Sequence, residues 1–153
     1  MDLLKIDELA NVRMGEDVVT SARPSKLEPE GLDKAPQLGW AVLLEGDIAG
    51  ARSKFREAAM IARQVGRRYV AADAIWGLAQ TAAAAGDPDL AARLGGAAFA
   101  LGTDAGRDPV ALNPFVHHHD DARAALGERA WQKAWADGAV LALDDALGLA
   151  LRE

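Results

Sequence analysis

The stretch GDIAGARSKFREA (residues 46–58) and the stretch GDPDLAARLGGAA (residues 86–98) open with the same Gly-Asp pair, 40 residues apart. In the segment after each pair, apolar residues recur at spacings of three and four, which is typical of a helix with one buried face. A fixed period of this length indicates stacked helical hairpins, because one hairpin cannot bury its apolar face alone.

The glycines and prolines around these stretches predict the helix boundaries. We expect helices over residues 35–45, 48–65, 68–85, 88–101, 115–126, 128–136 and 143–151. Gly66 and Gly138 are expected to end the second and the sixth helix, and Asp87 to cap the fourth. Residues 1–15 are expected to form a short helix, and the proline-containing residues 16–37 a linker.

Composition restricts the function. The chain has 153 residues, half of them hydrophobic, no cysteine and a net charge of −6. The lack of cysteine excludes disulfides, thiol catalysis and cysteine-ligated metal, and it fits a reducing cytoplasm. The acidic balance argues against general nucleic-acid binding, which needs a basic surface. No apolar run approaches the roughly 20 residues of a membrane-spanning helix, and the first residues lack the pattern of a signal peptide.

The hairpin residues resemble the tetratricopeptide repeat, or TPR, in which Leu-Gly precedes a Gly-Asp turn that is followed by small, aromatic and small residues. The first copy has Leu38-Gly39, Gly46-Asp47, Ala51, Phe55 and Ala58. The second copy has Leu78-Ala79, Gly86-Asp87, Ala91, Gly95 and Ala98, and so departs from the pattern at Ala79 and Gly95. The 40-residue period exceeds the usual 34 of this repeat. Lengthened, TPR-like helices are therefore expected.

The C-terminal segment resembles the end of large bacterial signalling ATPase regulators of the LuxR, MalT and AfsR type. The resemblance lies in residues 122–128, Trp131, residues 134–136, Gly138 and residues 141–151, and with the repeats it covers about residues 35–152. In that family this region is a helical sensor or scaffold, and ATP hydrolysis and DNA binding belong to other domains. Neither a Walker A segment nor a helix-turn-helix is visible here, so the resemblance implies neither activity for this chain.

The predicted fold is therefore all-α, a right-handed stack of TPR-like hairpins with a C-terminal helical cap. Three parts are expected: residues 1–34 as an N-terminal helix and linker, residues 35–106 as two repeats, and residues 107–153 as the cap. Two repeats are few for an independent stack. The cap and the N-terminal helix, or a second copy of the chain in a homodimer, must supply the missing neighbours.

A basic stripe and two tryptophans are the candidate partner-binding features. The stripe has arginines at spacings of four, seven and four along one helix face. It would dock an acidic peptide, a phosphate or the acidic C-terminal part of its own chain, or else be a solvated face that covers apolar surface. The tryptophans of the two first helices are either binding anchors on the concave surface or core residues. The predicted partner-binding residues are Trp40, Glu45, Arg52, Arg56, Arg63, Arg67, Trp76 and Gln80.

The run from His117 to Asp121 is the candidate metal site. Adjacent helical residues diverge by about 100°, so only His117 and Asp121 share a face. A metal would need further ligands from elsewhere, and a polar helix start with favourably placed carboxylates is the alternative. No nucleophile and base lie in a recognisable catalytic pattern.

We expect a non-catalytic protein-interaction scaffold or sensor module of a bacterial transcriptional or signalling regulator, cytoplasmic, with a protein or peptide partner and no cofactor. One alternative is a small-molecule sensor with a pocket between the repeats and the cap. Another is a small helical enzyme that uses the cluster from His117 to Asp121.

Overall fold

Seven α-helices are present in residues 29–104 and 116–152, the parts of the chain that the computed structural model describes. They are α1 (Pro29–Leu44), α2 (Ile48–Val65), α3 (Arg68–Ala84), α4 (Pro88–Asp104), α5 (Val116–Leu126), α6 (Glu128–Ala139) and α7 (Leu143–Ala150). These two ranges contain no strand, so the all-α prediction is confirmed for them. The helix predicted for residues 1–15, the start of the predicted linker and residues 105–115 lie outside the described residues.

The two Gly-Asp turns have nearly the same geometry, as the 40-residue repeat predicts. Gly46 and Gly86 have φ angles of 89° and 86°, in the left-handed region that favours glycine. The Asp47 and Asp87 carboxylates each accept a hydrogen bond from the backbone N–H three residues further on, at 2.9 Å and 3.2 Å. This is N-capping, which satisfies one of the free N–H groups at the start of α2 and of α4.

The predicted helix boundaries hold for α2, which ends at Gly66 with a φ of 73°. The linker prediction is wrong for residues 29–37, because α1 begins at Pro29 and contains Pro36. Pro29 is tolerated because it lies in the first turn of α1, where the N–H that proline lacks would have no helical partner. Pro36 removes one helical hydrogen bond, but the helix continues through it.

The core is centred on α3, which packs against α2, α4, α5 and α7. Most of its length from Val70 to Ala82 is buried. On one side the fully buried Phe55 of α2 lies against two glycines, Gly39 of α1 and Gly77 of α3. A Cβ atom at either glycine would fall within 3.0 Å of the Phe55 ring. These two glycines therefore make room for the aromatic residue of the first repeat.

The helices α4 and α6 cross at very short range. A Cβ atom on Gly96 would overlap the backbone carbonyl of Trp135, and one on Gly138 would overlap the backbone carbonyl of Arg93. Gly138 is the second-to-last residue of α6, which ends at Ala139, so the predicted end of this helix is correct to within one residue. Gly138 lies inside α6, where the absence of a side chain lets the two backbones touch.

Candidate functional site

A groove with a volume of about 540 Å³ opens between α2, α3, α4 and α7. Its volume lies within the range of about 300–1,000 Å³ that is usual for small-molecule sites. The larger apolar side chains that line it are Ile48, Leu78, Leu90, Leu94 and Leu149. The polar residues that line it are Arg52, Thr81, Asp87 and Arg152.

Two of the polar lining groups are held by the local backbone. The Thr81 hydroxyl donates a hydrogen bond of 2.9 Å to the carbonyl of Leu78, one turn earlier in α3. Asp87 caps α4, as described above. The charged side chains that line the groove are Arg52, Arg152 and Asp87, and the Asp87 carboxylate keeps its negative charge when it accepts the capping hydrogen bond.

Two arginines of the basic stripe converge on one backbone oxygen at the edge of this groove. Arg52 Nη2 and Arg56 Nη1 donate hydrogen bonds of 3.2 Å and 3.3 Å to the carbonyl oxygen of Arg152. Arg152 lies two residues beyond the end of α7, about 100 positions away in sequence. The stripe thus contacts the C-terminal segment of its own chain, one of the three targets considered from the sequence. The acceptor of these two hydrogen bonds is a backbone carbonyl.

The other two arginines of the stripe lie elsewhere. Arg63 is exposed near the end of α2. Arg67 precedes α3 and donates a hydrogen bond of 3.2 Å to the hydroxyl of Tyr69. Of the four stripe arginines, Arg52 lines the groove, and Arg56 is linked to its edge through the carbonyl of Arg152.

The remaining predicted partner-binding residues differ in exposure. Trp76 and Gln80 are each only 1% exposed, so neither side chain forms part of a surface in this arrangement. This agrees with the core alternative for Trp76. Trp40 is half-buried, with its ring in edge contact with Phe55 at a centroid distance of 4.8 Å. Glu45 is exposed in the first Gly-Asp turn.

Two polar atoms of α3 are unusual because they are buried but make no hydrogen bond. Within the described part of the chain, the indole N–H of Trp76 and the amide oxygen of Gln80 are buried without a hydrogen-bond partner. A buried polar group of this kind normally costs stability. These atoms lie one turn apart on the helix at the centre of the core.

An aromatic cluster lies where α3, α5 and α6 meet. The His119 ring contacts the rings of Trp131, Trp135 and Trp76 at centroid distances of 4.8, 5.6 and 5.7 Å. Burial lowers the pKa of His119, the nearby Asp120 opposes this shift, and Arg123 adds to it. The neutral imidazole is thus the favoured form at pH 7. The sequence analysis considered His119 only as part of the run from His117 to Asp121, and it did not predict that this ring packs against tryptophans.

Beside this cluster lies a smaller cavity of about 210 Å³, lined by His119, Arg123, Trp131, Gln132 and Trp135. Its charged rim is an exposed ion pair in which Arg123 Nε donates to Glu128 at 2.8 Å. Hydrogen bonds from Arg123 and then from Gln132 lower the pKa of Glu128 to about 2. Arg123 is therefore already paired, and the cavity mouth carries little net charge.

The predicted metal ligands are not brought together with others in the described residues. No group of three or more His, Asp or Glu side chains there is arranged to hold a metal ion. Asp121 is exposed on α5. The side chain of His117 lies outside the described set, so its pairing with Asp121 stays a prediction.

Among the described helices, none has both the length and the apolar character needed to cross a membrane. No family model, curated protein or solved structure matches the chain.

Proposed function

We propose that this chain is a non-catalytic sensor module of a signalling or transcriptional regulator, and that it binds a small amphipathic ligand in the groove. In this proposal α1–α2 and α3–α4 are TPR-like hairpins in a right-handed stack, and α5 to α7 are the cap. The observation that carries the proposal is the position of the groove, which lies between the repeats and the cap.

The composition of the groove favours binding over chemistry. Its walls are mainly leucine, isoleucine and alanine side chains, which stabilise an apolar ligand body by excluding water. The Thr81 hydroxyl and the Asp87 carboxylate already serve the local backbone. We therefore assign no catalytic role to them.

A thermal-shift screen with a variant that fills the groove tests this proposal. Ala49 lines the groove and is exposed on α2, so Ala49→Trp should fill the space without disturbing the core. A screen of apolar, anionic and cationic small molecules should find ligands that stabilise the wild type. At 100 times the dissociation constant the gain is about 2.7 kcal/mol, or roughly 5–10 °C for a chain of this size.

The matched control is Ala124→Trp, which changes an equally exposed alanine on α5, away from the groove. We expect the stabilisation to disappear in Ala49→Trp and to persist in Ala124→Trp. Equal stabilisation of both variants would place the ligand outside the groove and refute the proposal. Failure of every compound in the screen would also count against it.

A protein-binding scaffold is the second candidate, and exposed apolar side chains on the first hairpin favour it. Leu44, Met60 and Val65 are 74%, 50% and 43% exposed, and the exposed Arg63 lies on the same helix as the last two. Isolated exposed apolar residues are normal, but Met60 and Arg63 are three residues apart and share a face of α2, and an apolar side chain beside a cation suits an acidic amphipathic helix.

The lack of cysteine makes this second candidate easy to test. A Met60→Cys variant carries one labelling site, and a fluorophore there should respond to an acidic amphipathic helical peptide. Arg63→Glu in the same background should weaken that response. No response in the labelled protein, or a response unchanged by Arg63→Glu, would remove this surface from consideration.

A further inference from the structure

The groove is lined by charged side chains of both signs. Arg52 belongs to α2, Asp87 directly precedes α4, and Arg152 follows α7. Within the described part of the chain, no salt bridge joins any of these three to an oppositely charged side chain. Charges of opposite sign that line one cavity and are not paired with each other are complementary to a ligand that carries both signs itself.

These charged groups keep hydrogen-bonding capacity for a ligand. Asp87 Oδ1 accepts the capping hydrogen bond from the backbone N–H of Leu90 at 3.2 Å, and a carboxylate has about four acceptor positions. One N–H of Arg52 donates to the Arg152 carbonyl, and a guanidinium has several more. Arg56 shares that carbonyl but does not line the groove, so it is not part of the site.

The charges of opposite sign come from different helices, with apolar lining in the same groove. Both α2 and α4 pack against α3, which contributes Leu78 and Ala82 to the lining, and Leu94 of α4 adds a further apolar side chain. Packed helices have axes about 8–10 Å apart. An α-amino acid carries its ammonium and carboxylate on one carbon, whereas the terminal Cα atoms of an extended tripeptide are about 7 Å apart. The peptide is therefore the better match to charges on two helices.

From this arrangement we infer that the groove binds short apolar peptides of two or three residues with both termini free. The N-terminal ammonium donates to the Asp87 carboxylate, and the C-terminal carboxylate accepts from Arg52 and Arg152. The peptide side chains contact the leucines, and a volume of about 540 Å³ holds a ligand of this size. This inference rests on the proposed function and adds the chemical class of the ligand.

Four forms of one peptide test the inference: leucyl-alanyl-leucine with both ends free, N-acetylated, C-amidated, and with both ends blocked. Isothermal titration of the full chain should give the free peptide the highest affinity. Each blocking group should lower the affinity by about three- to tenfold, a modest factor because the three charged side chains are exposed and water screens such pairs. Leucine alone should bind more weakly than the free peptide, and Ala49→Trp should block all four forms.

Variants of the charged residues assign each end of the peptide. Asp87→Asn removes the negative charge and keeps the N-cap, since asparagine caps a helix about as well as aspartate. In this variant N-acetylation should no longer change the affinity, whereas C-amidation should still lower it. The Arg52→Gln, Arg152→Gln double variant should show the reverse. Should that double variant fail to fold, Asp87→Asn still tests the ammonium position.

Asp47→Asn is the matched control. It makes the same change at the equivalent Gly-Asp turn, where Asp47 caps α2 but does not line the groove. This variant should keep the wild-type affinities for all four forms of the peptide. A loss of discrimination in Asp47→Asn equal to that in Asp87→Asn would show that the effect is not local to the groove and would overturn the inference.

The outcomes separate the inference from the proposed function. If the peptide with both ends blocked binds as tightly as the free one, the groove recognises apolar groups only, and the inference is overturned while the binding groove stays in place. An effect of N-acetylation that persists unchanged in Asp87→Asn also overturns it. If none of the four forms binds, the inference is refuted. The broader screen with Ala49→Trp then decides the proposed function independently.

Discussion

Adding one methyl group at Gly138 should destabilise this protein, although glycine is normally a poor helix residue. Gly138 lies inside α6, where a Cβ atom would overlap the backbone carbonyl of Arg93 in α4. A carbonyl fixed in a helix cannot rotate away, so the two helices must separate. Overpacking of this kind costs about 1–3 kcal/mol, and a backbone contact should put the cost at the upper end.

The opposing term is the gain in helix propensity, about 1 kcal/mol for glycine to alanine in a helix interior. A net loss of about 2 kcal/mol is therefore expected for Gly138→Ala. Gly148 provides the matched control, because it lies in α7 with no atom within 4 Å of its ideal Cβ position. Gly148→Ala keeps only the propensity gain, so it should be more stable than the wild type by up to about 1 kcal/mol.

Urea unfolding followed by far-UV circular dichroism measures both free energies, and melting temperatures should shift by roughly 2–4 °C per kcal/mol. Gly96→Ala creates an overlap at the same crossing, with the carbonyl of Trp135. Once the helices have separated, the second methyl costs less, so the Gly96→Ala, Gly138→Ala double variant should lose less than the sum of the single losses. A Gly138→Ala variant as stable as Gly148→Ala would refute the close crossing.

Three further predictions concern single side chains. Burial lowers the pKa of His119 below its ordinary 6.5, so the unfolded chain binds the proton at a higher pH than the folded chain does. The stability of the protein should therefore fall as the pH drops below about 6.5. In thermal unfolding, the melting temperature of His119→Gln should depend less on pH over this range. The pKa of Glu128 is lowered to about 2 from 4.5, so the small contribution of this exposed carboxylate to stability is complete above pH 4.5 and is lost toward pH 2. Glu128→Gln should remove that part of the loss of stability in acid. An unchanged dependence of stability on pH in this range would contradict the prediction. Asp47→Ala and Asp87→Ala should each lower the free energy of unfolding, measured in urea, by about 1 kcal/mol, because each removes a helix N-cap. Asp→Asn at either position should be nearly neutral. Unequal losses of stability would show that the two turns differ.

Local signals in the sequence were sufficient for most helix boundaries. Glycine in the left-handed region and a capping aspartate act within a few residues, so Gly66, Asp47 and Asp87 were interpretable without tertiary information. Local rules failed where tertiary contact decides the outcome. Composition predicted the end of α6 near Gly138, but it carried no signal that Gly138 lies against the backbone of α4.

The groove was harder to predict because its walls come from distant parts of the chain. The basic stripe pointed to α2, but the spacing of its four arginines could not show which of them would lie near the groove. Two of them contact Arg152 only because α7 packs against α2 and α3, and no local pattern specifies that packing. The sequence analysis anticipated a pocket between repeats and cap as an alternative. It did not associate the pocket with Arg52.

The departure of the second repeat from its pattern has a structural explanation in the cap. In the first repeat the aromatic residue is Phe55, and the small residues facing it are glycines on the flanking helices. Forty residues later the aromatic position holds Gly95, and the Trp135 ring of α6 covers it, with a ring carbon 2.6 Å from the ideal Cβ position. In the first repeat the large residue, Phe55, belongs to the repeat and glycines face it. In the second repeat the glycine, Gly95, belongs to the repeat and the large residue, Trp135, faces it. Gly95 is therefore the position at which α4 accommodates the Trp135 ring of α6.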